Sequence, residues 1–185
     1  MKKKLVIIGL ILITILFLLF INARGNDTTE TINQEWLLND RNINHINIIG
    51  SEQNINIKVI ISDFEENSVR LKGKVSRKAL KFLENSNVHN NSLEVQLSDY
   101  SAPRFMITTE AKDDLEVEIR LTRNKNLKKL KVESVIGNVV LDFPQTFVKK
   151  LDLIPQNGGE VIAHSKLKKN GQTKVKISTI GNIEY

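Results

Sequence analysis

The sequence predicts an all-β fold: a stacked-strand, β-solenoid-like ectodomain of about 22 residues per turn, preceded by one N-terminal transmembrane helix. Three observations carry the β part. Apolar and polar residues alternate with period two over most of the chain beyond residue 43. Val95, Val117, Val139, Val161 and Ile183 stand at strict intervals of 22, each after a polar residue: Glu94, Glu116, Asn138, Glu160 and Asn182. Gly137, Gly159 and Gly181 stand two places before the last three of these, where a strand can bend with no Cβ in the way. Val and Ile are common in any all-β chain, so an antiparallel β-sandwich is the alternative.

Taken in order, the elements begin with "MKKKLVIIGLILITILFLLFINARGN". Lys2, Lys3 and Lys4 precede an uncharged run from Leu5 to Ile21, just long enough to span a bilayer and slightly long for a signal-peptide core. Ala23 is a poor cleavage residue because Ile21, two places earlier, is large, so the reading favours an uncleaved anchor over residues 1–24. Three lysines before the span against Arg24 after it place the N-terminus in the cytoplasm and the C-terminal domain outside. The expected location is therefore the cell membrane, single-pass, with secretion after signal cleavage as the alternative. Residues 25–42 form a polar tether.

The β-rich domain is expected over residues 43–185, with repeats clearest in 93–185. Ile46 and Ile48, then Ile55, Ile57, Val59 and Ile61, alternate across the break Gly50–Gln53 and predict a β-hairpin. Val69, Leu71 and Val75 predict the next strand, and "SRKALKFLENS" predicts one short helix. A second apolar strand per turn is read at Leu130 and Val132, Leu151 and Leu153, and Val175 and Ile177.

"LTRNKNLKKLKVESVIGNVVLDFP" and "KVKISTIGNIEY" resemble the bacterial extracytoplasmic "putative adhesin" domain, a β-strand-repeat domain of unknown function in which strands ending in Ser-Thr-x-Gly-Asn or Gly-Asp recur. The resemblance covers residues 43–185, most clearly 115–185. The middle repeat, "LIPQNGGEV", departs from it through Pro155 and Gly158-Gly159, which puts strand pairing there in doubt. The resemblance implies no catalytic residues.

The chemistry-bearing residues point away from an enzyme. His45, His89 and His164 are scattered outside any metal-binding spacing, and there is no cysteine to act as nucleophile, soft ligand or lipid acceptor. No catalytic, cofactor-binding or metal site is expected. The acidic group Glu110, Asp113, Asp114, Glu116 and Glu118 reads as a solvated strand face before it reads as a cation site. Charge is segregated: residues 26–119 carry 10 basic against 16 acidic side chains, residues 120–176 carry 13 against 4. Three lysine pairs, Lys128-Lys129, Lys149-Lys150 and Lys168-Lys169, recur near the period and would form a stripe suited to a polyanion. Val175, Ile177, Ile183 and Tyr185 lie on the last strand, expected to be an open edge that recruits a second copy or another envelope protein. The function expected is that of a non-enzymatic, membrane-anchored binding, adhesion or scaffold module. Its partners would be the membrane, an anionic cell-wall polymer or an envelope protein, and not nucleic acid. The alternative is a regulatory or structural partner of another membrane protein, such as an envelope-stress sensor or transporter.

Overall fold

The computed structural model describes residues 10–15, 28–38, 43–63, 65–99, 111, 113–164 and 166–185. Residues 10–15 are helical, and among the described residues no helix is long and apolar enough to cross a membrane. The rest of the anchor lies outside the described residues, whereas residues 28–38 of the expected tether belong to the β domain: Thr28–Leu37 is a strand of the sheet, and Ile32 and Leu38 are buried in the core.

The domain is mostly β and is built from five two-strand turns. In each, a first strand joins one sheet, the chain bends, and a second strand joins the other. The turns are β2 (His45–Ile49) with β3 (Asn54–Ser62), β6 (Ser92–Gln96) with β7 (Asp114–Thr122), and β8 (Lys129–Glu133) with β9 (Val139–Asp142). They continue with β10 (Val148–Gln156) and β11 (Val161–Ile162), then β12 (Thr173–Ile180) and β13 (Ile183–Glu184). β1 (Thr28–Leu37), β4 (Ser68–Ser76) and β5 (Asn87–His89) add antiparallel strands at one end. The seven-stranded sheet runs β1-β4-β7-β3-β9-β13-β11 and the six-stranded sheet β10-β12-β8-β2-β6-β5. Every pairing among the ten turn strands is parallel. Neither sheet closes into a barrel.

The apolar alternation explains the core. Ile46, Ile48, Leu93, Val95, Leu130, Val132, Val175 and Ile177 point inward from one sheet, and Ile55, Ile57, Leu115, Val117, Val139 and Ile183 from the other, all buried. Each such side chain stabilises by about 1.5–3 kcal/mol on leaving water. A single turn could not bury this face, but its two neighbours in the stack do.

The stacking order differs from the expected one. Successive turns do not lie beside each other in chain order; the stack reads β6/β7, β2/β3, β8/β9, β12/β13, β10/β11. The 22-residue line holds for Val139, Val161 and Ile183, which are level in the seven-stranded sheet, although Ile183 lies between the other two. Val117 is one pair out of step, since Leu115 is the residue level with Ile55 and hence with Val139. Val95 belongs to the other sheet, beside Ile48. The second apolar line is in register throughout: Leu130, Val175 and Leu151 at one level, Val132, Ile177 and Leu153 at the next.

Three further expectations are corrected. The break Gly50–Gln53 is a corner between two sheets and not a hairpin turn, because β2 and β3 pair with different neighbours. A carbon added at Gly50 would meet the tip of the Ile55 side chain at 2.7 Å, so that side chain would have to move to admit one. Pro155 does not interrupt pairing: β10 stays in register with β12 as far as Gln156, which an edge strand permits because half its N–H groups need no ladder partner. The last strand is not an edge. β12 lies between β10 and β8, and β13 between β9 and β11, so the edge falls one turn earlier, on β10 and β11.

The recurring Ser-Thr-x-Gly-Asn has a geometric cause at the corners. Gly137, Gly181 and Gly159 form a column in which an added Cβ would strike the carbonyl oxygen of Gln53, Gly137 and Gly181 in turn, at 2.3, 2.6 and 2.2 Å. Outside it, Asn54 accepts from the Asn138 N–H at 2.9 Å, Asn138 from the Asn182 N–H at 2.9 Å, and Asn182 from the Glu160 N–H at 3.0 Å. Inside, the buried Thr179 hydroxyl donates to the Gly137 carbonyl at 2.6 Å. The motif therefore satisfies backbone groups that a corner removes from the ladder.

The expected helix is present as α1 (Arg77–Leu83), with the Ser76 side chain accepting from the Ala79 N–H at 3.1 Å as its N-cap. Ala79 and Leu83 are buried, and the helix packs on β4, β1 and β6. It closes that end of the stack.

Candidate functional site

On β8, β12 and β10 the residues between the inward-facing ones point to the outer face of the six-stranded sheet. Register then decides which lysines meet. Lys150 is level with Lys174 and Lys174 with Lys129, so three ammonium groups form one row across adjacent strands, and His45 continues it. Neighbouring strands are about 4.8 Å apart. Two residues along, Asp152, Lys176 and Lys131 form the second row, with Asn47 and Glu94 beyond. Lys131 is paired with Glu133 at 2.5 Å. The second row is thus largely neutralised, and the first contains no carboxylate. The three side chains of the first row are exposed.

This corrects the expected stripe in its membership. Lys129 and Lys150 belong to it; Lys128 lies just before β8, and Lys149 sits at the register shift between Val148 and Lys150. Lys168 and Lys169 lie in the connection before β12, outside any strand. Adjacent residues on a strand point to opposite sides, so a lysine pair cannot place both charges on one face. The informative pattern was Lys-x-Lys, present as Lys129-Leu130-Lys131 and Lys174-Val175-Lys176, which brings in Lys131, Lys174 and Lys176.

The expected edge site is placed differently. Val175, Ile177 and Ile183 are inside the core, at 1%, 0% and 0% exposure, and Tyr185 lines a groove at the end of the stack. The acidic group is also accounted for. Asp113 accepts from the Thr28 hydroxyl, Asp114 accepts from the Asn54 amide at 2.8 Å, and Glu118 pairs with Arg120 at 2.6 Å. Glu116 is level with Asn56 and Lys72, and Glu110 lies outside the described residues. Among the described residues no three His, Asp or Glu side chains are placed to hold a metal ion.

Two acidic side chains on the opposite sheet are electrostatically tuned. The Arg77 guanidinium holds the Glu30 carboxyl below the usual glutamate range, and Arg70 does the same to Glu35, across ion pairs of 2.9 and 2.7 Å. Both pairs clasp the β1–β4 end of the seven-stranded sheet.

No family model and no curated protein matches the sequence. Two solved bacterial structures are similar at low score. A "putative cell adhesion protein" from Clostridium sporogenes ATCC 15579 shares 10% identity, with a TM-score of 0.30 over 84% of this chain and 98% of that one. A "putative adhesin" from Bacteroides fragilis NCTC 9343 shares 12% identity, with a TM-score of 0.31 over 85% and 97%.

Proposed function

We propose that this protein is a non-enzymatic extracytoplasmic binding module that holds an anionic polymer against the outer face of its six-stranded sheet, tethered through the apolar run Leu5–Ile21. In this reading the stack is a solenoid variant whose turns are permuted, and its role is to hold charges at fixed spacing. The observation that supports it is the row Lys150–Lys174–Lys129, three like charges held level on adjacent strands with no carboxylate in the row. Close like charges cost stability in a fold that gains nothing from them, and a polyanion laid across the strands offsets that repulsion. A phosphodiester polymer of the cell wall has this chemistry.

The test is binding of polyglycerol phosphate to the full chain in non-ionic detergent, at low and at raised salt. The triple variant Lys129→Gln, Lys150→Gln, Lys174→Gln should bind at least about tenfold more weakly at low salt and lose most of the salt dependence. Equal binding by the variant and the unaltered chain overturns the reading.

A further inference from the structure

The two ends of the stack are unlike. At one, α1 covers the core and β4, β1 and β5 extend the sheets beyond it. At the other, both sheets stop at the same turn, on β10 and β11. Leu151 and Leu153 are level with the buried Val175 and Ile177 and point inward as they do, yet they remain half-buried because, among the described residues, no further strand pairs beyond β10. Ile154 and Val161 on the same turn are 36% and 44% exposed. Between the two last strands lies an open groove of 520 Å3, lined by Leu151, Leu153, Ala163, Leu167 and Tyr185, with Lys166 and Lys169 beside them.

The corner ladder also runs out here. Each rung from Asn54 to Asn138 to Asn182 accepts the next main-chain N–H, and the last one accepted belongs to Glu160. Glu160 occupies the next rung position with an exposed carboxylate, another acceptor, where a further strand would bring its own N–H.

We propose that this open end is a docking site for one β-strand of a partner protein, with apolar residues alternating with acidic ones, that pairs with β10 over Lys149–Ile154. The apolar residues would seat on Leu151 and Leu153 and complete their burial. The acidic ones answer the charge of this end, where Lys149 and Lys150 on β10 and Lys166 and Lys169 beside the groove outnumber Asp152 and Glu160. That same charge opposes a second copy, which would bring the lysines of two chains together. Pro155 ends the pairing window, because it offers no N–H to an added strand. The proposal shares only Lys150 with the lysine row on the sheet face, and Lys129→Gln tells the two sites apart.

The experiment uses the full chain in non-ionic detergent and a labelled peptide of alternating glutamate and valine, read by fluorescence anisotropy. Two further probes are the lysine-valine peptide and the glutamate-valine peptide N-methylated throughout. The acidic peptide should bind at least about tenfold tighter than the basic one, and N-methylation should abolish binding, since strand addition runs through main-chain hydrogen bonds. Leu153→Glu should abolish binding. The exposed pair Lys149→Glu, Lys150→Glu should reverse the charge preference with the circular dichroism unchanged, and stands as the test where Leu153→Glu fails to fold. Lys129→Gln should leave peptide affinity unaltered. Equal affinity for both charges, retained binding of the N-methylated peptide, displacement of the peptide by anionic phospholipid in mixed micelles, or a dimer in sedimentation that Leu153→Glu dissolves would each overturn the proposal.

Discussion

At Gly181 the backbone φ is +146°, and a methyl group there would lie 2.6 Å from the carbonyl oxygen of Gly137; at Gly137 φ is +125°, and the obstacle is the Gln53 carbonyl at 2.3 Å. Two costs coincide at these residues, a backbone conformation that L side chains rarely adopt and a contact with rigid backbone. Gly158 separates them, because its φ is +83° but nothing lies within 4 Å of the added carbon. Gly158→Ala should therefore lose only the backbone strain, about 1–3 kcal/mol. Gly137→Ala and Gly181→Ala should each lose more, because a turn must also shift against its neighbour. Urea unfolding of the three variants checks this, and equal losses would mean that the column of close contacts contributes nothing. These glycines were legible as corners from their spacing. Their asparagine neighbours were not, since Asn after Gly reads as ordinary turn chemistry, and only the stack shows each carboxamide capping the N–H of the next turn.

β1 is an edge strand of the seven-stranded sheet, paired only with β4 and clasped by Glu35–Arg70 and Glu30–Arg77. Both carboxyls are held below the ordinary value of 4.5, so their contribution is present above that pH and is lost as pH falls through the lowered values of the folded state. Trp36, the single tryptophan, lies on β1 and packs partly against the core, so it reports this strand alone. Its emission should shift to the red on acidification below about pH 4.5, before the far-ultraviolet circular dichroism changes, and Arg70→Gln should diminish the step. Emission that moves only with the circular dichroism would mean that β1 does not open separately. At this scale alternation revealed the strands β2, β3, β4 and β8 but not their partners. A glycine-led break between two alternating runs serves a hairpin and a sheet-to-sheet corner equally, and here the break is a corner.

The order of the turns is a property of the whole molecule and has no local signal. Nothing in residues 148–162 says that this turn will lie outside the one that follows it, because both carry the same inward pattern and either could meet Leu130 and Val132. What distinguishes them is how well each tolerates an edge. β10 carries Pro155, whose missing N–H an edge tolerates, whereas β12 pairs on both sides and carries a Thr179 hydroxyl that reaches back to Gly137. Interposing the last turn makes it the link on which the fourth depends. Ile177→Pro removes an N–H at the centre of β12 and wedges a ring between Val132 and Leu153, its level neighbours on either side. In a stack wound in chain order such a change would disturb the terminal turn and one neighbour. Here hydrogen exchange should accelerate at both Leu151–Leu153 and Leu130–Val132, with β10 losing protection more completely because β12 is its sole partner, while Leu93 and Val95 on β6, beyond β2, stay protected. Exchange that rises in β8 but leaves β10 protected would show the fourth turn held by something other than the fifth, and would refute the permuted stack.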